Sequence, residues 1–221
     1  MSKGKSKTSG VVVVAVLIAA AAIGAKSPAK SGVSVWGDSL TVLAQSDLEA
    51  SGAKVHAFGG TSPCDWASGF ESELVADHPS QIMLAFVGNY GTRCMAGPTT
   101  DAGRAARYRV ELSARAAIAI RHQVTVSFIV PPYMAPNRPF YLEPFGSPEI
   151  GKMECALATT QPQWLRCDVH ARDALAIDGR YAARRGDTPL RTGDGIHLTP
   201  YGARLYARGI LAAPPAAGAT T

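Results

Sequence analysis

Asp194 and His197 stand three residues apart in Asp194-Gly195-Ile196-His197-Leu198-Thr199-Pro200, near the end of a 221-residue chain. At that spacing one tight turn can bring the carboxylate to the imidazole Nδ1 and leave Nε2 open as a proton acceptor. Such a pair serves a hydroxyl nucleophile, because serine attacks poorly at neutral pH until a base lies within hydrogen-bond reach. Ser39, in Gly37-Asp38-Ser39-Leu40, is the candidate. A serine at a strand-to-helix turn exposes its Oγ, and its own N–H lies at the helix N-terminus, where developing negative charge is stabilised. Of the other histidines, His56 lies within a predicted strand, and His78, His122 and His170 sit at segment ends without a comparable acidic partner in a glycine-containing loop; all four read as structural. No G-x-S-x-G, H-E-x-x-H or C-x-x-C occurs, so neither a lipase-type elbow nor a zinc or thioredoxin-like site is supported. The expected chemistry needs no metal or organic cofactor.

These residues require elements that hold them at one edge of a sheet. Short runs rich in valine and isoleucine predict strands over residues 33–36, 54–58, 81–87, 124–130 and, less clearly, 164–169. Helical spacing of Ala, Val, Leu and Ile predicts a helix over 101–122, with Arg104, Arg107, Arg115 and Arg121 on a solvated face, and another over 199–211. Strands alternating with helices imply an α/β fold with a mostly parallel sheet covered on both faces. Ligand sites in such sheets form beyond the carboxyl ends of the strands, where strand order reverses. The segments that follow the strands are Gly37-Asp38-Ser39-Leu40, Gly59-Gly60-Thr61, Gly88-Asn89-Tyr90-Gly91 and Pro131-Pro132-Tyr133. The Pro- and aromatic-rich stretch 131–146 is either a wall of a substrate cleft or a surface loop packed on itself.

Taken together, GDSL at 37–40 after the first strand and DGIHLTP at 194–200 before the final helix resemble the GDSL or SGNH hydrolase family over most of the chain. The resemblance implies a three-layer α/β/α sandwich, flavodoxin-like, with a five-stranded sheet. It implies Ser39 as nucleophile, His197 as base and Asp194 as its orienter, and an oxyanion hole made by the Ser39 and Gly60 N–H groups and the Asn89 side-chain amide. The family's third block reads Gly, any residue, Asn, Asp; here Gly88 directly precedes Asn89, and Tyr90 stands where Asp is expected. The implied activity is hydrolysis of carboxylic esters, with lipid or cell-envelope carbohydrate esters as substrates. An acyltransferase using the same triad on a sugar or peptidoglycan hydroxyl, and a non-catalytic secreted binding module, are the alternatives.

Composition bounds these readings. With 47% apolar and 18% charged residues the chain can bury a core and is not a disordered polymer. Lys3, Lys5 and Lys7 precede the apolar run at residues 11–25, the form of a secretory signal with small residues at its end. The alternative is an uncleaved anchor, although fifteen residues make a helix of about 22 Å against a hydrocarbon core of ~30 Å. Residues 1–25 therefore read as a signal peptide or anchor, 26–32 as a linker, 33–212 as the hydrolase-like domain and 213–221 as a flexible tail. Without the three lysines the net charge of +5 falls to +2, which removes any electrostatic case for nucleic acid. A membrane partner is expected only if the anchor is retained; secretion or the cell envelope is the expected location. In an oxidising compartment Cys64, Cys94, Cys155 and Cys167 suggest two disulfides, of three possible connectivities. The preferred pairing is Cys64 with Cys94 and Cys155 with Cys167; the first would tie together the loops that carry Gly60 and Asn89.

Overall fold

A computed structural model of the protein describes residues 32–97, 100–136 and 148–214. The expected signal or anchor, most of the linker, all but two residues of the tail and positions 137–146 of the Pro- and aromatic-rich stretch lie outside them. Five strands, β1 (Val33–Gly37), β2 (Lys54–Ala57), β3 (Gln81–Ala85), β4 (Thr125–Ile129) and β5 (Leu165–Asp168), form one parallel sheet in the order β2-β1-β3-β4-β5. The helices are α1 (Ser39–Ala50), α2 (Phe70–Asp77), α3 (Asp101–Arg121), α4 (Pro148–Ala158), α5 (His170–Asp173) and α6 (Pro200–Leu211). Two antiparallel pairs of two-residue strands, β6 (Ala176–Ile177) with β7 (Arg180–Tyr181) and β8 (Arg184–Arg185) with β9 (Thr188–Pro189), lie between α5 and α6.

The period-two alternation of the strands sorts their side chains into two cores. Val35, Met83, Ala85 and Ile129 pack with α1, α5 and α6 on one face, where Leu40, Leu48, Ala171, Tyr206 and Ile210 are buried. Trp36, Ile82, Leu84, Val126 and Phe128 face α2, α3 and α4, where Phe70, Leu112, Ile150 and Leu157 are buried. The result is the expected α/β/α sandwich. Polar caps set the helix starts: the Asp38 carboxylate accepts from Leu40 N–H, Thr100 Oγ1 from Gly103 N–H, and Thr199 Oγ1 from Gly202 N–H with Pro200 opening α6. Edge strand β2 is fastened through His56, whose Nδ1 lies 2.9 Å from Glu73 and Nε2 2.7 Å from Asp77, while its ring stacks on Trp36 at 4.4 Å.

The solvated arginine face expected on α3 is not uniform. Arg115 is buried, 3.7 Å from Glu111 and above the Phe70 ring. It lies one position before Ala116, on the flank of the stripe of Leu112, Ala116 and Ala119, so its aliphatic stem covers apolar surface while its charge meets an acid and a ring.

The chain runs from β1 outward to β2 and then returns to place β3 on the other side of β1. The crevice between the carboxyl ends of β1 and β3 is thus the reversal point of the sheet, and the turns that carry Ser39 and Asn89 both open onto it.

Candidate active site

Ser39 is the first residue of α1, so the β1 turn delivers its hydroxyl to the sheet edge and its N–H to the helix N-terminus. The Gly59-Gly60 turn lies against it: a Cβ built on Gly59 would sit 4.0 Å from that of Ser39. Gly60 has φ of +79° and open space where a Cβ would go, so the dihedral, rather than crowding, requires glycine there. Among the described residues Ser39 Oγ makes no hydrogen bond, to His197 or to any other group.

Asp38, to which sequence reasoning gave no role, is fully buried beneath this turn. Its Oδ1 accepts from Leu40 N–H at 3.2 Å, and its Oδ2 from Val87 N–H at 2.7 Å and from the Asn89 amide at 3.2 Å. One carboxyl thereby joins the turn after β1 to the turn after β3. Burial pushes the carboxyl up to about 7, opposed by the Val87 and Leu40 N–H groups and by the charge of His197. Its only sequence signal was its place beside Ser39.

The Asn89 amide donates to Thr61 O at 3.1 Å as well as to Asp38, so both its hydrogens are engaged in this state. Its own carbonyl accepts from Tyr108 Oη at 3.1 Å and from Ser62 Oγ at 2.5 Å.

Asp194 and His197 meet as their spacing suggested. His197 Nδ1 lies 2.5 Å from Asp194 Oδ2, while Asp194 Oδ1 accepts from Ile196 N–H at 2.9 Å, His197 N–H at 3.0 Å and Thr192 Oγ1 at 2.8 Å. Burial alone would raise this carboxyl, but the bonds from His197, Ile196 and Thr192 outweigh it and hold it well below the usual carboxylate range. Gly195 makes the turn possible: its φ is +74°, and a Cβ there would meet that of Ala135 at 2.3 Å. Arg191, also missed from sequence, is buried behind the loop and donates to Ile196 O at 2.5 Å and Tyr133 O at 3.1 Å.

No protein-family model and no curated protein matches this sequence. Solved structures do match its shape. A GDSL-like lipase from Bacteroides thetaiotaomicron superposes with TM-score 0.60 at 14% identity, covering 82% of this chain and 86% of that one. A lipase/acylhydrolase from Enterococcus faecalis gives 0.55 at 18% identity, over 82% and 93%. A catalytic mutant of an acetylxylan esterase from Geobacillus stearothermophilus gives 0.55 at 16% identity, over 83% and 94%. The fold is that of the GDSL/SGNH hydrolases. At these identities the likeness is one of architecture, and the chemistry of this chain rests on its own residues.

Within that SGNH fold, the departure at Tyr90 turns away from the site. Its ring packs edge-on against Tyr108 at 5.4 Å and beneath the Arg104 guanidinium at 5.0 Å, in the α2–α3–α4 core. Both expected cysteine pairs are present. Cys64 joins Cys94 with Cα atoms 6.1 Å apart, linking the segments that follow Gly60 and Asn89, and Cys155 joins Cys167 across α4 and β5 with Cα atoms 4.8 Å apart.

Three of the histidines read as structural have acidic partners, none of them in a glycine-containing loop. His56 has Glu73 and Asp77, and His122 has Glu71 at 2.6 Å. His170 Nδ1 lies 2.8 Å from Asp168, whose other oxygen accepts His170 N–H at 2.9 Å. The Asp168–His170 pair repeats the pattern of Asp194–His197, but at the far edge strand β5 rather than in the loop before α6. Its acid lies within a strand rather than a glycine loop, and the other partners come from α2, which is why spacing along the chain missed them.

Proposed function

We propose that the protein is an exported serine hydrolase that cleaves carboxylic esters through an acyl-enzyme on Ser39. The observation that carries this reading is the 2.5 Å contact between His197 Nδ1 and Asp194, which leaves Nε2 to act as acceptor, and its support is that Asp38, the residue before Ser39, feels the charge of His197. His197 takes the Ser39 proton as Oγ bonds to the ester carbonyl carbon. The resulting oxyanion is met by the Ser39 and Gly60 N–H groups and by an Asn89 N–H that exchanges its Thr61 carbonyl for the substrate oxygen. As the tetrahedral adduct collapses, His197 returns the proton to the departing alcohol. It then deprotonates water, whose oxygen attacks the acyl carbon and releases the acid and Ser39. The basic and apolar N-terminal run and the two disulfides support a place outside the cytoplasm or in the envelope.

Lipid esters and carbohydrate acetyl esters, the classes suggested by the lipase and acetylxylan esterase neighbours, are the two substrate groups to compare. The deciding experiment is hydrolysis of short-chain nitrophenyl esters by the parent and by Ser39→Ala. Turnover is expected to fall by about 10⁴-fold or more, with loss of fluorophosphonate labelling. A Ser39→Ala protein that works at the parent rate overturns the assignment.

A further inference from the structure

Arg191 is 5% exposed, and among the described residues no carboxylate comes within ion-pair distance of its guanidinium. A buried cation without an ion pair costs several kcal/mol unless fixed dipoles replace its water. The groups that face it are specific. One terminal nitrogen donates to Ile196 O at 2.5 Å and the other to Tyr133 O at 3.1 Å, while Tyr181, Tyr206 and Asp194 are the titratable groups whose charge it feels. Burial pulls the guanidinium down to about 10, which leaves it cationic at neutral pH.

The Ile196 carbonyl belongs to the same peptide unit as the His197 N–H, and that N–H donates to Asp194 Oδ1 at 3.0 Å. In a trans peptide the C=O and N–H point in opposite directions. The unit therefore lies between the guanidinium on its oxygen side and the Asp194 carboxylate on its hydrogen side, with its dipole aligned to both. The buried charge of Arg191 is thus coupled to the half-buried Asp194 carboxylate through this peptide group rather than by contact between the two. The plane so fixed is the one from which the His197 side chain departs.

Two further ties anchor the arrangement. Arg191 pairs with Leu198 in an isolated antiparallel bridge, closing the loop at its base, and its bond to Tyr133, together with Ala135 N–H to Gly195 O at 3.2 Å, fastens the loop to the exit of β4.

We propose that Arg191 is the positioning residue of the Asp194–His197 pair, its guanidinium locking the Ile196–His197 peptide so that the imidazole is aimed at Ser39. This rests on the serine-hydrolase reading only in its last clause, the aim toward Ser39.

The test uses the full chain with Arg191→Met, which keeps length and removes charge and donors, and Arg191→Lys, which keeps the charge but not the fork. Displacement of the base by about 1 Å lowers turnover by about 10²-fold. Arg191→Met is expected to lose kcat on that scale with KM within about twofold of the parent, and Arg191→Lys should be intermediate. Proton NMR of the His197 Nδ1–H shared with Asp194 gives a readout that needs no substrate, and its downfield resonance should be displaced or lost in Arg191→Met at a temperature where the protein remains folded. Parent-like kcat in a folded Met variant, or an unmoved His197 resonance beside a loss of kcat, overturns the proposal. If Arg191→Met does not fold, Arg191→Lys decides by the same two readouts. A parent protein that neither hydrolyses esters nor labels with fluorophosphonate refutes the serine-hydrolase reading instead, and the His197 resonance still judges Arg191.

Discussion

Asn89 sits where opposite demands meet. Its carbonyl is held by two hydroxyls and its amide by Asp38 and Thr61, so the residue is placed from four directions before any substrate arrives. In the proposed mechanism the residue stays in place and only one N–H changes partner, from the Thr61 carbonyl to the oxyanion, so little reorganisation accompanies the developing charge. Asn89→Ala is expected to lower kcat by about 10²- to 10³-fold with little change in KM, measured on a soluble nitrophenyl ester. An equal loss in KM with kcat preserved would assign Asn89 to ground-state binding. The spacing of Asp194 and His197 was legible because three residues suffice for one turn. The roles of Asp38 and Arg191 were not, because each acts on backbone groups contributed by distant parts of the chain, Val87 and Tyr133 among them.

The two disulfides are expected to differ in kind. Cys64–Cys94 braces the two segments that leave the Gly60 and Asn89 turns, whereas Cys155–Cys167 joins α4 to β5 at the edge of the sheet. Loop closure over sequence separations of 30 and 12 residues gives about 3.6 and 2.8 kcal/mol respectively in the chain-entropy treatment. Replacing Cys155 and Cys167 together by Ser should therefore cost about 3 kcal/mol in urea denaturation and leave turnover per folded molecule intact. Replacing Cys64 and Cys94 should lower both stability and turnover, and a Cys64/Cys94 variant with unchanged turnover would show that the brace serves stability alone. The strands were legible to within two residues because β-branched runs between glycine and proline signals leave few choices. Helix α2 was not: FESELVAD is short and weakly patterned, and Gly69 gives it no side-chain cap. The β6–β7 and β8–β9 pairs, two residues to a strand, carry no periodicity at all.

Across the whole molecule, two buried carboxyls that form no salt bridge among the described residues shape the response to pH. Asp38 is pushed up to about 7, and Glu154, fully buried with both oxygens lacking a partner among the described residues, is raised well above its ordinary value, in each case foremost by burial. In the unfolded chain both ionise near pH 4, so above that pH the native state holds more protons than the unfolded one. Stability then falls as pH rises from about 4 through 7 and beyond. Asp194 acts in the opposite sense: its lowered value adds stability above pH 4 that is lost only in stronger acid. Denaturation midpoints should thus be higher at pH 5 than at pH 8, and Glu154→Gln, which removes one of the two proton-binding groups, should narrow that difference. An unchanged pH slope in the Gln variant would place Glu154 in contact with water or a counter-charge. The sheet has a further consequence for handling and placement. All five strands point the same way, so the start of β1 and the Ser39 turn lie on opposite poles, separated by the length of a five-residue strand, or about 17 Å. A tether attached through the chain ahead of Val33 therefore joins the domain at the pole away from Ser39, so the attachment point itself does not cover the Ser39 turn.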